Sequence, residues 1–382
     1  MDRRSFLAVA MAALATPALP QGKPPMRTRW KVRSSIGFDA LAFLGPLARG
    51  ELYLPYYQAD ADAFASRLPA SVVADIASLW KEAETARFGL LGPSLSVIYS
   101  AGHDADIPAL IAATATAEAS LLPAYRASPY WDEGDWRWFM TAAPRIKSIF
   151  EAMHRADFSA FRADLAGDID RRIEEISRGL ASFDVIRLHE KLTGRTFDPQ
   201  VEVVLLQFCK PHGIKVQGQT FLQATDWNIA ITVRNAAHEM LHPPVPMDGA
   251  AATAALAALG KDPLITRIVR DHDPRWGYTT LDGLLNEDLA QALDQLISEE
   301  LGVARNPADR WRKADDGIHV LAGAFYGLLR QDRWVETGGS IEAWLEASVR
   351  SGRLDPAILH PIAAKVLERP ANALWPTQRV AG

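Results

Sequence analysis

The first half of the chain carries apolar residues at three- and four-residue spacing, which is the period of an amphipathic helix. The stretch after Ser71, a suitable N-cap, shows this pattern clearly. One face of that stretch collects its large apolar residues, Val72, Ile76, Leu79 and Trp80. Residues 158–180 repeat the pattern, and proline and glycine breaks divide the rest into segments. We therefore predict that residues 38 to about 192 are mostly helical.

The hydrophobic period changes near Asp198. Residues 200–209 are rich in branched side chains and bounded by prolines, residues 214–225 alternate weakly, and residues 227–233 follow a short Thr-Asp turn. Such runs favour extended backbone, so they predict two or three adjacent strands. The helical period resumes at about Asn235 and continues to the end of the chain. The pattern thus predicts an α+β protein, mainly α with a small sheet.

Composition narrows the class of protein. The chain has 382 residues, of which 48% are hydrophobic and 23% charged, and these values are typical of a globular protein. Its formal net charge is -5, and we find no basic stripe along it. Nucleic-acid binders need such a stripe to displace counterions from phosphates, so we expect no nucleic-acid partner.

The N-terminus has the features of an export signal. Arg3 and Arg4 precede an uncharged, alanine-rich run that ends in small residues. The paired arginines resemble the twin-arginine signal of bacteria, although Asp2 stands where that pattern more often has Ser or Thr. We predict a signal over residues 1–20, a mature chain that begins near Gln21, and a periplasmic or extracellular location. The general secretory route is the alternative.

Two further expectations follow from export. The apolar run of the signal is too short and too weakly hydrophobic to span a membrane, so we expect no stable membrane span in the mature chain. The only cysteine is Cys209, so the chain has no internal disulfide. Cys209 ends an apolar run, which indicates a buried strand residue rather than a reactive thiolate.

The residues with the clearest chemistry lie in the sequence HEMLH, residues 238–242. On a helix, His238 and His242 stand one turn apart on the same face, so both imidazoles can reach one metal ion. Glu239 lies about 100° round the helix from His238, where it can face a water rather than bind the ion. This spacing is what a zinc hydrolase needs.

With this motif, residues 201 to 326 resemble the zincins, zinc metallopeptidases that carry His-Glu-x-x-His after an antiparallel sheet. The resemblance implies a catalytic region over residues 196–382 with a small antiparallel sheet, bound Zn²⁺, and a peptide or protein substrate. Residues 27–195 would then form a helical N-terminal region that walls or covers the cleft. The oligomeric state stays open.

A catalytic zinc usually takes a third protein ligand. The stretch around Asn286 and Glu287 resembles the Asn-Glu-x-x-Ala helix of gluzincins, the thermolysin and aminopeptidase type, and that resemblance implies Glu287 as the ligand. Glu287 follows the motif at a greater distance than in those families. Residues 249–280 would therefore form an inserted pair of helices.

Two alternatives for the third ligand remain. Asp248 matches the ligand position of metzincins, but that pattern needs a glycine where Val245 stands, and the neighbouring prolines favour an extended exit. The other alternative is a group of acidic and histidine side chains farther along the chain, comprising Asp271, His272, Asp273, Glu299 and Glu300. Without a metal, His272 is explained equally well as a residue at a solvent-exposed helix end, where it lies near the negative end of the helix dipole.

The leading hypothesis for function is an exported zinc-dependent peptidase. Zinc would polarise the scissile carbonyl and acidify its water, while Glu239 accepts the proton and delivers it to the leaving amine. His319 and Tyr326, in a region that faintly resembles part of the thermolysin-like enzymes, are predicted donors to the developing negative charge, with Tyr278 as a rival.

Two other classes of protein remain possible from the sequence. One is a zincin-fold protein that has lost catalysis and binds a partner through the same cleft. The other is a helical binding protein in which HEMLH arose by chance. Glu239 argues against the inactive scaffold, because binding alone does not require a carboxylate beside the metal.

Overall fold

The computed structural model of the protein describes residues 25–375. The predicted signal at residues 1–20 lies outside these residues. Within the described part of the chain, we find no helix whose length and apolar character would let it cross a membrane.

The N-terminal half is helical, as the hydrophobic period predicts, except for a strand at its start. That strand is β1 (Arg29–Ser34). The helices are α1 (Ile36–Leu47), α2 (Leu54–Ala65), α3 (Ala70–Ala86), α4 (Leu91–Tyr99), α5 (Ile107–Ala115), α6 (Ala117–Ser120), α7 (Leu122–Ala127), α8 (Glu133–Arg155), α9 (Phe158–Ala166), α10 (Ile169–Leu180) and α11 (Val185–Thr193).

Two boundaries in this half differ from the local sequence signals. Helix α3 begins directly after Pro69, so Ser71 lies inside its first turn rather than at the N-cap. The repeated pattern of residues 158–180 is divided into α9 and α10 at Gly167, whose φ of 61° lies in the left-handed region that favours glycine.

The remaining strands are β2 (Gln200–Leu206), β3 (Ile214–Lys215) and β4 (Thr220–Ala224), and the sheet order is β1-β2-β4-β3. The expectation of a mainly α protein with a small sheet is confirmed. The prediction that this sheet is antiparallel is wrong for two of its pairs. Strands β1–β2 and β2–β4 pair parallel, and only β3–β4 pairs antiparallel among the described strands. Parallel neighbours need long connections, and the helices between β1 and β2 provide one.

The branched residues 227–233 predict a strand, but residues 229–233 are helical. Asn228 caps helix α12 (Ile229–Glu239), because its Oδ1 accepts a hydrogen bond from the backbone N–H of Ile231 at 3.0 Å. The cap and the contacts of the helix outweigh the local preference for strand. Cys209 is buried as expected, but it lies in the turn after β2 rather than in the strand.

The sheet lies between two apolar cores. Val204 and Leu206 of β2 point into a core shared with the helices from α1 to α9. Val203 and Leu205 point to the opposite face, where α10, α11 and α12 pack. Because the first core joins both halves of the chain, the division into residues 27–195 and 196–382 does not separate two cores. The functional division stays a prediction.

The C-terminal part is helical and surrounds a third core. Its helices are α13 (Ala250–Leu259), α14 (Pro263–Asp271), α15 (Leu281–Glu300), α16 (Pro307–Lys313), α17 (Val320–Gln331), α18 (Trp334–Thr337), α19 (Ile341–Arg350) and α20 (Pro356–Leu367). Helices α13 and α14 lie within residues 249–280, where the sequence predicts two helices; that they are an insertion stays a prediction. Helix α15 is largely buried and packs against α12, so it brings its polar residues to the motif.

Candidate metal centre

The HEMLH motif straddles the end of α12. His238 lies in the last turn of the helix, while His242 lies beyond its end in a turn where Leu241 N–H donates to the His238 carbonyl at 3.0 Å. The prediction that one continuous helix carries both histidines is therefore wrong. The turn still brings the rings together, with Nε2 to Nε2 at 3.0 Å.

Glu287 completes a group of three metal-ligating side chains. From α15, its Oε1 lies 3.5 Å from Nε2 of His238 and its Oε2 lies 3.5 Å from Nε2 of His242. Among the residues that the structure describes, these three have ligand atoms that lie within 4.8 Å of one another, which is close enough to hold one ion. The sequence therefore identified all three members of the cluster.

The other candidates for a third ligand lie elsewhere. Asp248 is exposed and does not belong to the cluster. His272 directs both ring nitrogens at backbone carbonyls, Nδ1 at Ile268 (2.8 Å) and Nε2 at Gly277 (2.5 Å). Glu299 accepts a hydrogen bond from Tyr326 and pairs with Arg330.

The separations of the three donor groups fit a zinc ion. Zinc–nitrogen and zinc–oxygen bonds of about 2.1 Å in a tetrahedron place neighbouring ligand atoms about 3.4 Å apart. The observed separations are 3.0, 3.5 and 3.5 Å. Two histidines and a glutamate also match a known catalytic zinc set, which leaves one position for another ligand.

Hydrogen bonds at the far side of each ring orient the histidines. His238 Nδ1 lies 2.8 Å from Oδ2 of Asp294, and His242 Nδ1 lies 3.3 Å from Oδ1 of Asn286. Both partners are acceptors, so Nδ1 carries the proton in each ring. In the neutral rings, the two Nε2 lone pairs then face each other and the Glu287 carboxylate. Such an arrangement requires a cation or a proton between them.

Asp294 and Glu287 are themselves held in place. Asp294 accepts hydrogen bonds from both terminal nitrogens of Arg310, one of them at 2.8 Å, and both side chains are buried. Glu287 accepts a hydrogen bond from Gln291 at 2.8 Å, and Gln291 accepts one from the Trp311 indole at 2.7 Å. The cluster is therefore supported by a connected network of buried polar side chains.

The charges agree with this geometry. Burial opposes a charge on His238, but the nearby Glu287 and Asp294 carboxylates raise its pKa to about 9. Burial would likewise raise the pKa of Glu287, yet the two histidines hold it at about 2. Burial and the charge of His238 lower the pKa of His242 to about 4. The pocket thus stabilises one positive charge between the ligand atoms, and a divalent ion can take the place of that proton.

Glu239 borders a cleft of about 350 Å³ beside the cluster. The cleft also contacts His242, Lys215 of β3 and Tyr130 from the turn before α8. Burial raises the pKa of Glu239 to about 7, so its carboxyl group exchanges protons near neutral pH. Its position matches the expectation for a proton-transfer group that does not bind the ion.

The structure corrects the predicted roles of His319 and Tyr326. His319 is fully buried, and its ring nitrogens contact Asp288 (Nδ1, 2.6 Å) and Asp315 (Nε2, 2.8 Å), so neither faces the cleft. The Tyr326 hydroxyl donates to Glu299 at 2.7 Å. A resemblance of the local sequence cannot reveal these partners, because they lie on other parts of the chain.

Tyr278, the rival donor, lies at the cluster. Its ring packs edge-on against His319 with 5.6 Å between centroids, and its φ of 55° lies in the left-handed region. Burial raises the pKa of its hydroxyl, and the charge of the neighbouring Glu287 raises it further. The hydroxyl therefore stays protonated and can donate a hydrogen bond.

Several residues of the site carry no motif in the sequence. Asp294 follows Glu287 by two helical turns, and this spacing on a helix with a predicted ligand could have indicated it. Arg310, Lys215 and Tyr130 reach the site only through the packing of separate elements, so no local signal identifies them.

Comparison with known proteins does not assign the chain to a family. Searches against protein-family models, curated proteins and solved structures all found no match. The function must therefore be inferred from the site.

Proposed function

We propose that the protein is an exported, zinc-dependent hydrolase of peptide bonds. The observation that carries this proposal is the convergence of His238, His242 and Glu287 on one point, with Glu239 in the adjoining cleft. Structural zinc sites are usually closed by four protein ligands, whereas three ligands beside an open cleft are typical of catalytic sites.

His238 and His242 would hold Zn²⁺ through Nε2, and Glu287 through its carboxylate. When bound, zinc supplies a Lewis acid that polarises a carbonyl and acidifies water. Glu239 accepts a proton from a water in the cleft and delivers it to the nitrogen of the leaving amine. Its pKa of about 7 suits both steps, because the carboxyl group can change protonation state near neutral pH.

Tyr278 is the residue we propose as the hydrogen-bond donor to the developing oxyanion, in place of His319 and Tyr326. It is the tyrosine whose hydroxyl interacts with Glu287. A donor beside a metal ligand is close to the carbonyl that the metal would polarise, and removal of such a donor typically costs about 100- to 1,000-fold in kcat. A Tyr278→Phe variant is expected to show that loss while it keeps zinc.

The test of the proposal compares metal content and hydrolysis of a peptide library. We expect one zinc per chain in the wild type, loss of zinc in His238→Ala and Glu287→Ala, and retained zinc with lost hydrolysis in Glu239→Gln. A wild type that binds no stoichiometric metal would overturn the proposal. Zinc binding without hydrolysis of any peptide would favour an inactive binding protein with the same site.

Export is a separate part of the proposal, and it rests on the N-terminal pattern alone. Cell fractionation is expected to place the full-length chain outside the cytoplasm with a processed N-terminus near Gln21. Replacement of Arg3 and Arg4 by lysine is expected to retain the chain in the cytoplasm if the twin-arginine route is used. A mature protein that keeps residues 1–20 would contradict this part.

A further inference from the structure

Lys215 places an uncompensated positive charge in the wall of the cleft. Its Nζ donates to the His242 carbonyl at 3.1 Å. In the part of the chain that the structure describes, no carboxylate lies within ion-pair distance of this nitrogen, and Glu239 acts on it only at longer range. Lys215 is half-buried and has no ion-pair partner among the described residues, so an anionic group of a ligand in the cleft is a candidate for that partner.

A second cation faces the same turn. The Arg195 guanidinium donates to the carbonyls of Pro243 (2.6 Å) and Pro244 (3.3 Å), and over residues 25–375 it too has no carboxylate within ion-pair distance. Its charge repels that of Lys215. Both cations therefore donate to backbone carbonyls of the turn after His242, and the exposed Arg195 guanidinium also lies over the Phe197 ring, 5.2 Å from its centroid. Together they raise the local potential toward anions.

Tyr130 adds a free donor to the cleft. Its hydroxyl makes no hydrogen bond to any residue in the described ranges, although it lies in the same cleft as Lys215 and Glu239. Tyr130 is half-buried and borders the open cleft, so a ligand there can accept a hydrogen bond from its hydroxyl. Lys215 and Tyr130 thus offer a charged and a neutral hydrogen-bond donor to one ligand group.

The rest of the cleft wall is mainly apolar. Leu90 precedes α4, Pro93 and Val97 lie within that helix, and Ile214 comes from β3. A free volume of about 350 Å³ is at the lower end of ligand-binding pockets, so the cleft suits a short segment rather than a long chain. The wall therefore combines one anion-binding point with a surface for an apolar side chain.

We propose that the cleft binds a carboxylate of the peptide substrate through Lys215 Nζ and the Tyr130 hydroxyl, beside an apolar side chain. This inference rests on the proposed peptidase function and names its substrate class, which is peptides with a carboxylate close to the cleaved bond. The carboxylate can come from the C-terminus or from an acidic side chain, and both share the same chemistry.

The test measures binding by calorimetry, so it does not depend on hydrolysis. The probes are N-acetyl-leucine, which has a terminal carboxylate, N-acetyl-leucine amide, which has none, and the α-amide of N-acetyl-aspartate, which has a side-chain carboxylate. The proteins are the wild type, Lys215→Met, Tyr130→Phe and the matched control Lys81→Met, whose lysine is exposed on α3. Each variant is first checked for a native circular dichroism spectrum and wild-type zinc content.

We expect the wild type to bind one of the carboxylate probes about tenfold or more tightly than the leucine amide, as for a charge-assisted hydrogen bond. Lys215→Met should lose this preference, Tyr130→Phe should reduce it by several-fold, and Lys81→Met should keep it. The tighter of the two carboxylate probes identifies the source of the group.

Two results would overturn the inference without affecting the proposed function. One is equal affinity of the wild type for all three probes. The other is a carboxylate preference that persists in a folded Lys215→Met protein, because the metal site and not Lys215 would then hold the anion. A protein that hydrolyses no peptide but keeps a Lys215-dependent preference would instead refute the peptidase and retain the carboxylate site.

Discussion

Asp294 offers the sharpest test of the metal centre, because it touches a predicted ligand without being one. Its carboxylate accepts hydrogen bonds from His238 Nδ1 and from the Arg310 guanidinium. In Asp294→Asn, the amide keeps one acceptor oxygen, so one of these two donors faces an NH₂ group. The substitution also removes the negative charge that balances Arg310. Both side chains are buried, with Arg310 8% and Asp294 2% exposed.

Two magnitudes follow for Asp294→Asn. Loss of an outer partner of a metal-binding histidine typically lowers metal affinity by about 10- to 100-fold, which is about 1.4 to 2.8 kcal/mol. Leaving a buried charge without its partner costs about 3 kcal/mol of folding stability. The double variant with Arg310→Met removes the unpaired cation, so it should recover part of the stability. It should not recover zinc affinity, because His238 Nδ1 still lacks its anionic partner.

The assays are competition with a fluorescent zinc chelator and urea unfolding of the metal-free protein. Asp39→Asn is the matched control, because Asp39 is a fully buried carboxylate paired with Arg162 (2.8 Å) in the N-terminal core, on elements that do not supply the cluster. It should lose comparable stability and keep wild-type zinc affinity. Unchanged zinc affinity in a folded Asp294→Asn protein, or an equal loss in Asp39→Asn, would refute the reasoning.

Three further outcomes are expected. Burial lowers the pKa of His189 from 6.5 to about 4, so the folded protein binds this proton less readily than the unfolded chain and loses about 3 kcal/mol as pH falls from 6.5 to 4. His189→Gln should lose that much less over the same window in urea titrations. A Cβ at Gly327 would stand 2.3 Å from Cγ2 of Ile362, so Gly327→Ala should destabilise the α17–α20 contact by about 1 to 3 kcal/mol in the same assay. Zinc at about 100 times its Kd should stabilise the wild type by about 2.7 kcal/mol, measured as a rise in Tm that a chelator reverses and that His238→Ala does not show.

Each of these outcomes has a contrary result. An acid-dependent loss that is identical in wild type and His189→Gln would mean that this histidine is accessible to protons in the folded state. A Gly327→Ala protein of wild-type stability would mean that α20 shifts at little cost. A Tm that responds to zinc equally in His238→Ala would place the metal elsewhere.

The helices and the ligand cluster were accessible from the sequence for different reasons. A helix that buries one face must repeat apolar residues at its own period, so α3 and its neighbours are visible in the pattern. His238 and His242 are four residues apart, and a local turn is enough to join their rings. Glu287 could be selected only because its neighbours resemble a motif with a known partner.

The errors of prediction share one cause. Residues 227–233 have the composition of a strand, but Asn228 and the packing of α12 against the sheet and α15 decide for a helix. Strand β1 lies far in sequence from its neighbour β2, so the parallel direction of the sheet depends on how the intervening helices return the chain. The roles predicted for His319 and Tyr326 rest on a faint resemblance of their region to thermolysin-like enzymes, while their partners Asp288 and Glu299 come from another helix.

The sequence by itself determined that the chain is mainly helical with a small sheet, and that two histidines and two glutamates are the residues to examine for metal chemistry. Periodicity and short spacing encode these features, because both depend on neighbours along the chain. Only the tertiary structure decided that Asp294 and Arg310 support His238, and that the hydroxyl of Tyr278 rather than that of Tyr326 lies beside Glu287. The same holds for Lys215, which faces the cleft with no carboxylate of the described residues within ion-pair distance. These relations join side chains from separate elements, and burial sets their charges, so they exist only once the chain has folded.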